Sequence, residues 1–311
     1  MAVGGAAFPL LRIRFGPDDA GVCTGVPLLA GEPTEQLLGP AGVAVPHGPL
    51  RVVTAGDWMF GGATVPLVPG LEAAVYGLYL EVFRVVQGRH LARIWNYVPA
   101  INAIDREGLE NYGRFCRARA RAFEQHHGHG FTAFLPAASA VGCEAAAFTL
   151  VFAASTARPR PVENPLQLPA YEYPLDYGPR APSFARATLV PGTAGAAAVF
   201  ISGTAAIRGH ATMAPERTAE QLECTLGNLR AISTACGLGS DLGASEGRQR
   251  NFKVYLRHKN DQPAVAAALA ERLLLPGDTV SYLRADICRA PLNLEIEATL
   301  WPPRNAGSSA Q

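Results

Sequence analysis

An α+β fold built as two related halves is what this sequence predicts. Three observations carry it. The 311 residues exceed the usual size of a single core, seven prolines crowd the stretch from Ser155 to Pro182, and the order strand, long helix, strand occurs on both sides of that stretch. The expected divisions are 1–154, a connector over 155–182, and 183–311.

Residues 1 to 70 are rich in glycine and proline, with apolar runs at Leu10–Phe15 and Leu50–Thr54 that suit short strands between turns. Leu71, Val75, Leu78, Val82 and Val85 then form a helical stripe, so a helix is expected over Leu71–Gln87. A strand over His90–Val98, a second helix over Arg106–His126 and a strand over Phe148–Phe152 complete this half. The connector cannot sustain a helix or a central strand, and Tyr171, Tyr173 and Tyr177 suit a segment packed on a surface.

Beyond it, strands are expected at Phe184–Val190 and Ala197–Ser202, a helix at Glu216–Cys236 stopped by Gly237, and a strand at Phe252–Arg257. A helix at Pro263–Leu273 and strands at Thr279–Ile287 and Leu292–Trp301 follow.

Composition excludes several classes of function. A formal charge of +1 with 17% charged residues lacks the basic excess that phosphate backbones require, so no nucleic acid partner is expected. The six cysteines have no CxxC spacing and no nearby histidine, which argues against zinc and against a disulfide framework. His126, His127 and His129 end a helix, where they meet its C-terminal dipole, and lack an acidic or cysteine partner for a metal. Neither metal nor cofactor is expected. Met1–Arg12 has no basic leader and is broken by Pro9, and the alanine-rich run from Gly192 to Phe200 is too short to span a bilayer. A cytoplasmic protein without membrane contact is the expectation.

The closing strand is the most informative segment. Side chains alternate across a strand, so Leu292, Leu294, Ile296, Ala298 and Leu300 share one face, and Asn293, Glu295, Glu297 and Thr299 the other. The first face is core; the second either meets water or lines a pocket in which a glutamate donates a proton. Seven residues before Glu295 stands Cys288.

Four ordered motifs tie the C-terminal half to a known family: Phe200–Ala205, Glu220–Leu229, Val254–Leu256 and Leu294–Ala298. Together they resemble RidA/YjgF proteins. That resemblance places Glu295, Ser202 and Gly203 at a ligand cleft. Arg93–Asn102, Gly108–Arg119, Pro182–Ala187, Ser202–His210 and Ala285–Arg289 are, in addition, similar to chorismatases, and the resemblance runs from about residue 50 to 302.

The resemblance implies two RidA/YjgF-like domains, the first degenerate, around an intramolecular cleft in a monomer. It implies chorismate as the small-molecule substrate, with release of pyruvate. Glu295 would protonate the enolpyruvyl methylene. A cysteine at position 288 marks the branch that forms 3-hydroxybenzoate; the hydrolytic branch, with alanine there, leaves 3,4-dihydroxycyclohexa-1,5-diene carboxylate. A RidA-like protein that binds a small carboxylate without reaction is the alternative of another class.

Chorismate is a dianion, and the planar fork of arginine suits its carboxylates. Arg186 and Arg257 lead the candidates, followed by Arg289 and, from the first half, Arg114 and Arg117. Tyr173, Gly203 and Ala205 are the other expected substrate contacts. Glu297, one strand repeat beyond Glu295, is expected to be a structural partner or a surface group.

Overall fold

The computed structural model describes residues 8–16, 20–37, 43–192 and 197–303. Residues 1–7 of the segment read for a leader, and 193–196 of the alanine-rich run, lie outside them. Among the described residues no helix is long and apolar enough to cross a membrane.

The chain order begins with strands β1 (Leu10–Arg14), β2 (Gly21–Gly31), β3 (Thr34–Gln36), β4 (Ala44–His47), β5 (Leu50–Ala55) and β6 (Trp58–Pro66). Helix α1 (Leu71–Val85), β7 (His90–Pro99), α2 (Asn111–His127), β8 (Ala137–Cys143) and β9 (Ala147–Ser155) follow. Next come β10 (Arg160–Val162), β11 (Ala187–Val190), β12 (Ala198–Thr204), β13 (Ile207–Arg208) and β14 (Ala211–Thr212). Helix α3 (Thr218–Ala235), β15 (Gln249–Leu256), α4 (Gln262–Arg272), β16 (Thr279–Arg284) and β17 (Leu294–Trp301) close the chain.

Two sheets carry the architecture. One runs β4-β5-β6-β9-β7-β8, the other β10-β11-β12-β17-β15-β16-β2-β1-β3. The six strands of the first map in order onto the first six of the second, with α1 and α2 in the places of α3 and α4, and β7/β8 and β15/β16 are both parallel pairs. The internal duplication is therefore explicit in the topology. Its sheet boundary departs from the expected division at 154: β1, β2 and β3 extend the sheet of the second half, because β2 pairs with β16 through Tyr282↔Ala30 and Leu283↔Leu28.

Three apolar layers hold the molecule. Leu78, Val82, Phe115 and Phe123 of α1 and α2 pack on Phe148, Leu150 and Phe152 of β9. Leu222, Leu226 and Leu229 of α3 and Leu269 of α4 pack on Leu294, Ile296 and Leu300 of β17. Between the sheets lie Trp95, Tyr97, Val151, Phe200 and Tyr255. The result is helices, sheet, sheet, helices, with both faces of each sheet covered.

Several element ends differ from the sequence reading: β9 runs on to Ser155, β11 begins at Ala187 and β15 at Gln249. Helix α2 starts at Asn111 rather than Arg106 because Asp105 Oδ1 accepts the Glu107 and Leu109 amides at 2.8 and 3.0 Å, and this turn takes the chain out of helical geometry. β16 ends at Arg284, after which residues 285–292 form a loop. β17 begins at Leu294. The connector is well ordered as β10 at the sheet edge and two short 3-10 turns, with Pro161 on the edge strand.

Candidate active site

Both faces of β17 are buried, so the face that carries Glu295 and Glu297 meets the interior rather than water. Yet the two glutamates have opposite surroundings. Glu297 accepts from Arg93 Nη2 at 2.7 Å, from Trp95 Nε1 at 2.8 Å and from Lys253 Nζ at 2.7 Å. Lys253 and Arg93 hold its carboxyl below the usual carboxylate range.

Glu295 has no such clasp: its Oε1 is buried with no hydrogen-bond partner. Burial, and next the negative charge of Glu297, push its carboxyl up to about 8. Its surroundings therefore favour the protonated carboxylic acid over the carboxylate.

This acid opens onto a cavity of about 350 Å³ between the two halves. Helix α2 supplies Tyr112, Phe115, Cys116 and Arg119, β8 supplies Ala138 to Ala140, the connector supplies Tyr173 and Tyr177, and the loop 288–291 closes the side. Space for the carboxyl exists because of a bulge. In the β12/β17 ladder Ile201 faces Ala298 and Thr204 faces Ile296, so Ser202 and Gly203 share one opposing residue. A Cβ on Gly203 would overlap the Glu295 carboxyl, which makes the glycine a steric requirement.

The structure brings together Glu295, Cys288, Arg186, Arg289, Tyr173, Gly203 and Ala205 around this cavity. Arg186 donates to Tyr173 Oη at 2.7 Å and to the Leu168 carbonyl at 2.9 Å, while its Nε remains unpartnered. Arg289 donates to the His210 carbonyl at 2.7 Å and stacks 3.8 Å over the Tyr177 ring, leaving Nη2 unpartnered. Burial pushes the Cys288 thiol up to about 12, so it presents a neutral S–H. Ser202 is turned away: its Oγ accepts from the Ala138 amide at 2.8 Å and donates to the Ala185 carbonyl at 2.6 Å, tying the halves together behind the site.

Three expected arginines lie outside the cavity. Arg114 pairs with Asp105 and Glu107, and Arg117 with Glu72, all on the first half's own surface. Arg257 is a fastener instead. Its guanidinium donates to Asp286 Oδ1 at 2.9 Å, to Asn102 Oδ1 at 3.0 Å and to the Ile287, Arg289 and Leu292 carbonyls at 3.3, 3.2 and 2.9 Å. It thereby fixes the loop that presents Cys288 and Arg289.

Arg119, which the sequence reading passed over, takes the place expected of Arg114 and Arg117. It is 2% exposed, lines the cavity, and leaves Nε and Nη2 without partners. Helical phase was the available signal: Tyr112, Phe115, Cys116 and Arg119 fall at i, i+3, i+4 and i+7 on one face. In the histidine tract His126 stacks on Phe83 and His127 on Phe134, while exposed His129 meets Glu124 Oε1 at 3.1 Å, so an acidic partner is present after all.

The chain is similar to known proteins. Residues 40–154 match the family of FkbO/Hyg5-like chorismatase N-terminal domains. Over 257 residues the chain is 37% identical to a 3-hydroxybenzoate synthase of Streptomyces hygroscopicus, covering 79% of this chain and 74% of that one. The chain belongs to the chorismatase family. A chorismatase of Streptomyces rapamycinicus is 38% identical over 252 residues, covering 78% of this chain and 75% of its own. A chorismatase crystal structure superposes with a TM-score of 0.77 at 30% identity, over 96% of this chain and 95% of the other. The YjgF gene product of E. coli aligns with 46% of this chain and 98% of its own, at 19% identity and a TM-score of 0.32. Across the chorismatase fold seen here, the duplicated half is degenerate on the decisive face: β9 presents Val151 and Ala153 to the space between the sheets where β17 presents its glutamates.

Proposed function

We propose that this chorismatase cleaves the enol ether of chorismate to 3-hydroxybenzoate and pyruvate, with Glu295 as the acid. The observation that carries the reading is the buried carboxyl of Glu295, with an unpartnered oxygen, at the wall of an arginine-lined cavity. Protonation at carbon needs an acid that still carries its proton at the working pH and is shielded from water, and a buried carboxylic acid poised near neutrality meets that need.

The steps balance. Glu295 gives its proton to the enolpyruvyl methylene, which becomes the methyl group of pyruvate. The bond between the ring carbon and the ether oxygen breaks as the neighbouring ring hydroxyl oxygen attacks that ring carbon and closes an epoxide, and the proton released from that hydroxyl restores Glu295. The epoxide then opens at its other carbon, and loss of the C–H proton from the carbon that keeps the oxygen, with protonation of that oxygen, yields the aromatic 3-hydroxybenzoate. No water is consumed.

Arg186, Arg289 and Arg119 offer unpartnered N–H groups to the two carboxylates of the substrate. Cys288, a neutral thiol on the loop held by Arg257, supports the benzoate-forming outcome. Both halves of the chain line the cavity, which supports an intramolecular cleft and, with it, a monomer.

The test is incubation of purified protein with chorismate, with pyruvate assayed and the ring product identified by mass. 3-Hydroxybenzoate equal in amount to pyruvate supports the reading. A product heavier by one water molecule would assign the hydrolytic reaction, and intact chorismate with ligand-stabilised protein would leave only a binding protein.

A further inference from the structure

The glutamate two residues beyond the proposed acid has the more elaborate surroundings. Glu35, Arg93, Lys253 and Glu297 are each 1% exposed and meet between the sheets. Lys253 pairs with both Glu35 and Glu297, Arg93 pairs with Glu297 and donates to Ser139 Oγ at 3.0 Å, and Thr299 Oγ1 donates to Glu35 at 3.1 Å. Four elements contribute: β3, β7, β15 and β17. Two cations and two anions make the group neutral as a whole.

A neutral buried quartet has a consequence for its neighbour. Along β17, Glu297 stands about 6.6 Å from Glu295 on the same face. The groups that face Glu295 are Tyr255, its cross-strand partner on β15, Arg93 from β7, Arg186 from the segment before β11 and Cys288 from the loop, with Arg119, Arg289, Glu110 and Asp176 on other walls of the cavity. Arg93 is already matched by Glu297. Arg186 points its guanidinium toward Tyr173 and the cavity. Arg186 favours ionised Glu295, whereas burial first and the fixed carboxylate of Glu297 next oppose it.

We propose that Glu297, held as a carboxylate by Arg93 and Lys253, is a positioning residue whose charge keeps Glu295 in its acid form through the working pH range. This rests on the assignment of Glu295 as the acid. Burial disfavours ionised Glu295 first, and a second carboxylate fixed on the same strand face adds to that without touching substrate.

Two isosteric or near-isosteric variants test it, read by the carboxyl-carbon resonance of Glu295 in 13C-glutamate-labelled resting enzyme and by the pH profile of kcat. The resonance is the one that titrates near pH 8 and is missing from Glu295→Gln. Glu297→Gln leaves the cations in excess and should lower that midpoint, and the alkaline limb of kcat with it, by about one to two pH units. Lys253→Met removes a cation and should leave the midpoint in place or raise it.

A midpoint in Glu297→Gln within about half a unit of the wild type, or an equal fall in both variants, would overturn the proposal, the second outcome being a loosened core. Absence of any alkaline titration in the wild type would also overturn it. Pyruvate release surviving in Glu295→Gln would instead remove the acid assignment itself, so the two failures are distinct.

Discussion

Gly203 lies directly against the Glu295 carboxyl, so close that a single methyl group on its Cα would occupy the same space. The bulge in β12 and the absence of a side chain at its second residue together create the room in which the acid stands. Gly203→Ala should keep the fold, at a cost of about 1–3 kcal/mol from overpacking. It should lower kcat by about 100-fold, because displacing an acid by an ångström removes its alignment with the methylene carbon. Circular dichroism and a pyruvate assay on the same sample check both parts.

Burial of Glu295 has a thermodynamic signature. Its carboxyl titrates about 8 when folded against 4.5 ordinarily. Between those values the unfolded chain has released the proton and the folded chain still holds it. Stability therefore falls as pH rises from 4.5 to 8, by up to about 1.4 kcal/mol per unit. Glu295→Gln removes this dependence. The variant should release no pyruvate, yet exceed the wild type in stability by more at pH 8 than at pH 5 in urea melts, with the difference reaching a few kcal/mol.

Much of this site could be read from residue order, and the rest failed for identifiable reasons. The period-two pattern of 292–300 placed Glu295 and Glu297 on one face, and the structure bears that out with both faces buried. Helices α1, α3 and α4 lie within two residues of their stripes. By contrast β8, Ala137–Cys143, has almost no β-branched residue, because its small side chains leave space for the cavity, and nothing in propensity marks it as a strand. The pairing of β2 with β16 joins residues some 250 apart, and such additions leave no local periodicity. Arg257 lay in a family-like strand, but its five bonds to loop atoms depend on a loop whose path only the fold reveals.

The arginines of α2 separate by helical phase. Arg119 faces the cavity with free N–H groups, whereas Arg114 and Arg117 pair with acids on the outer surface. Arg119→Lys loses the fork but keeps the charge, and should raise KM for chorismate by about 10- to 100-fold, as expected for one charge-assisted bond of roughly 1.5–3 kcal/mol. Arg117→Ala should change kcat/KM by less than about twofold, since an exposed pair contributes at most about 1 kcal/mol to stability and nothing to the cleft. Steady-state kinetics of the two variants side by side decide the matter. Equal effects would mean that α2 acts only as a scaffold.

Product choice should reside in the loop after β16. Cys288 faces the cavity as a neutral thiol, and Arg257 bonds to the backbone on both sides of it. Cys288→Ala enlarges the wall where the ring would lie and admits water, so part of the product should become 3,4-dihydroxycyclohexa-1,5-diene carboxylate while pyruvate continues to form. Arg257→Lys keeps the charge but can satisfy fewer of five acceptors, which lets the loop move without altering the wall chemically. Its expected effect is a lower kcat, by about 10-fold for a misaligned site, with the product ratio shifting in the same direction as in Cys288→Ala. Mass analysis of the ring products distinguishes the routes, because the hydrolytic product is heavier than 3-hydroxybenzoate by one water molecule. 3-Hydroxybenzoate as sole ring product from both variants would place the branch point elsewhere in the cavity.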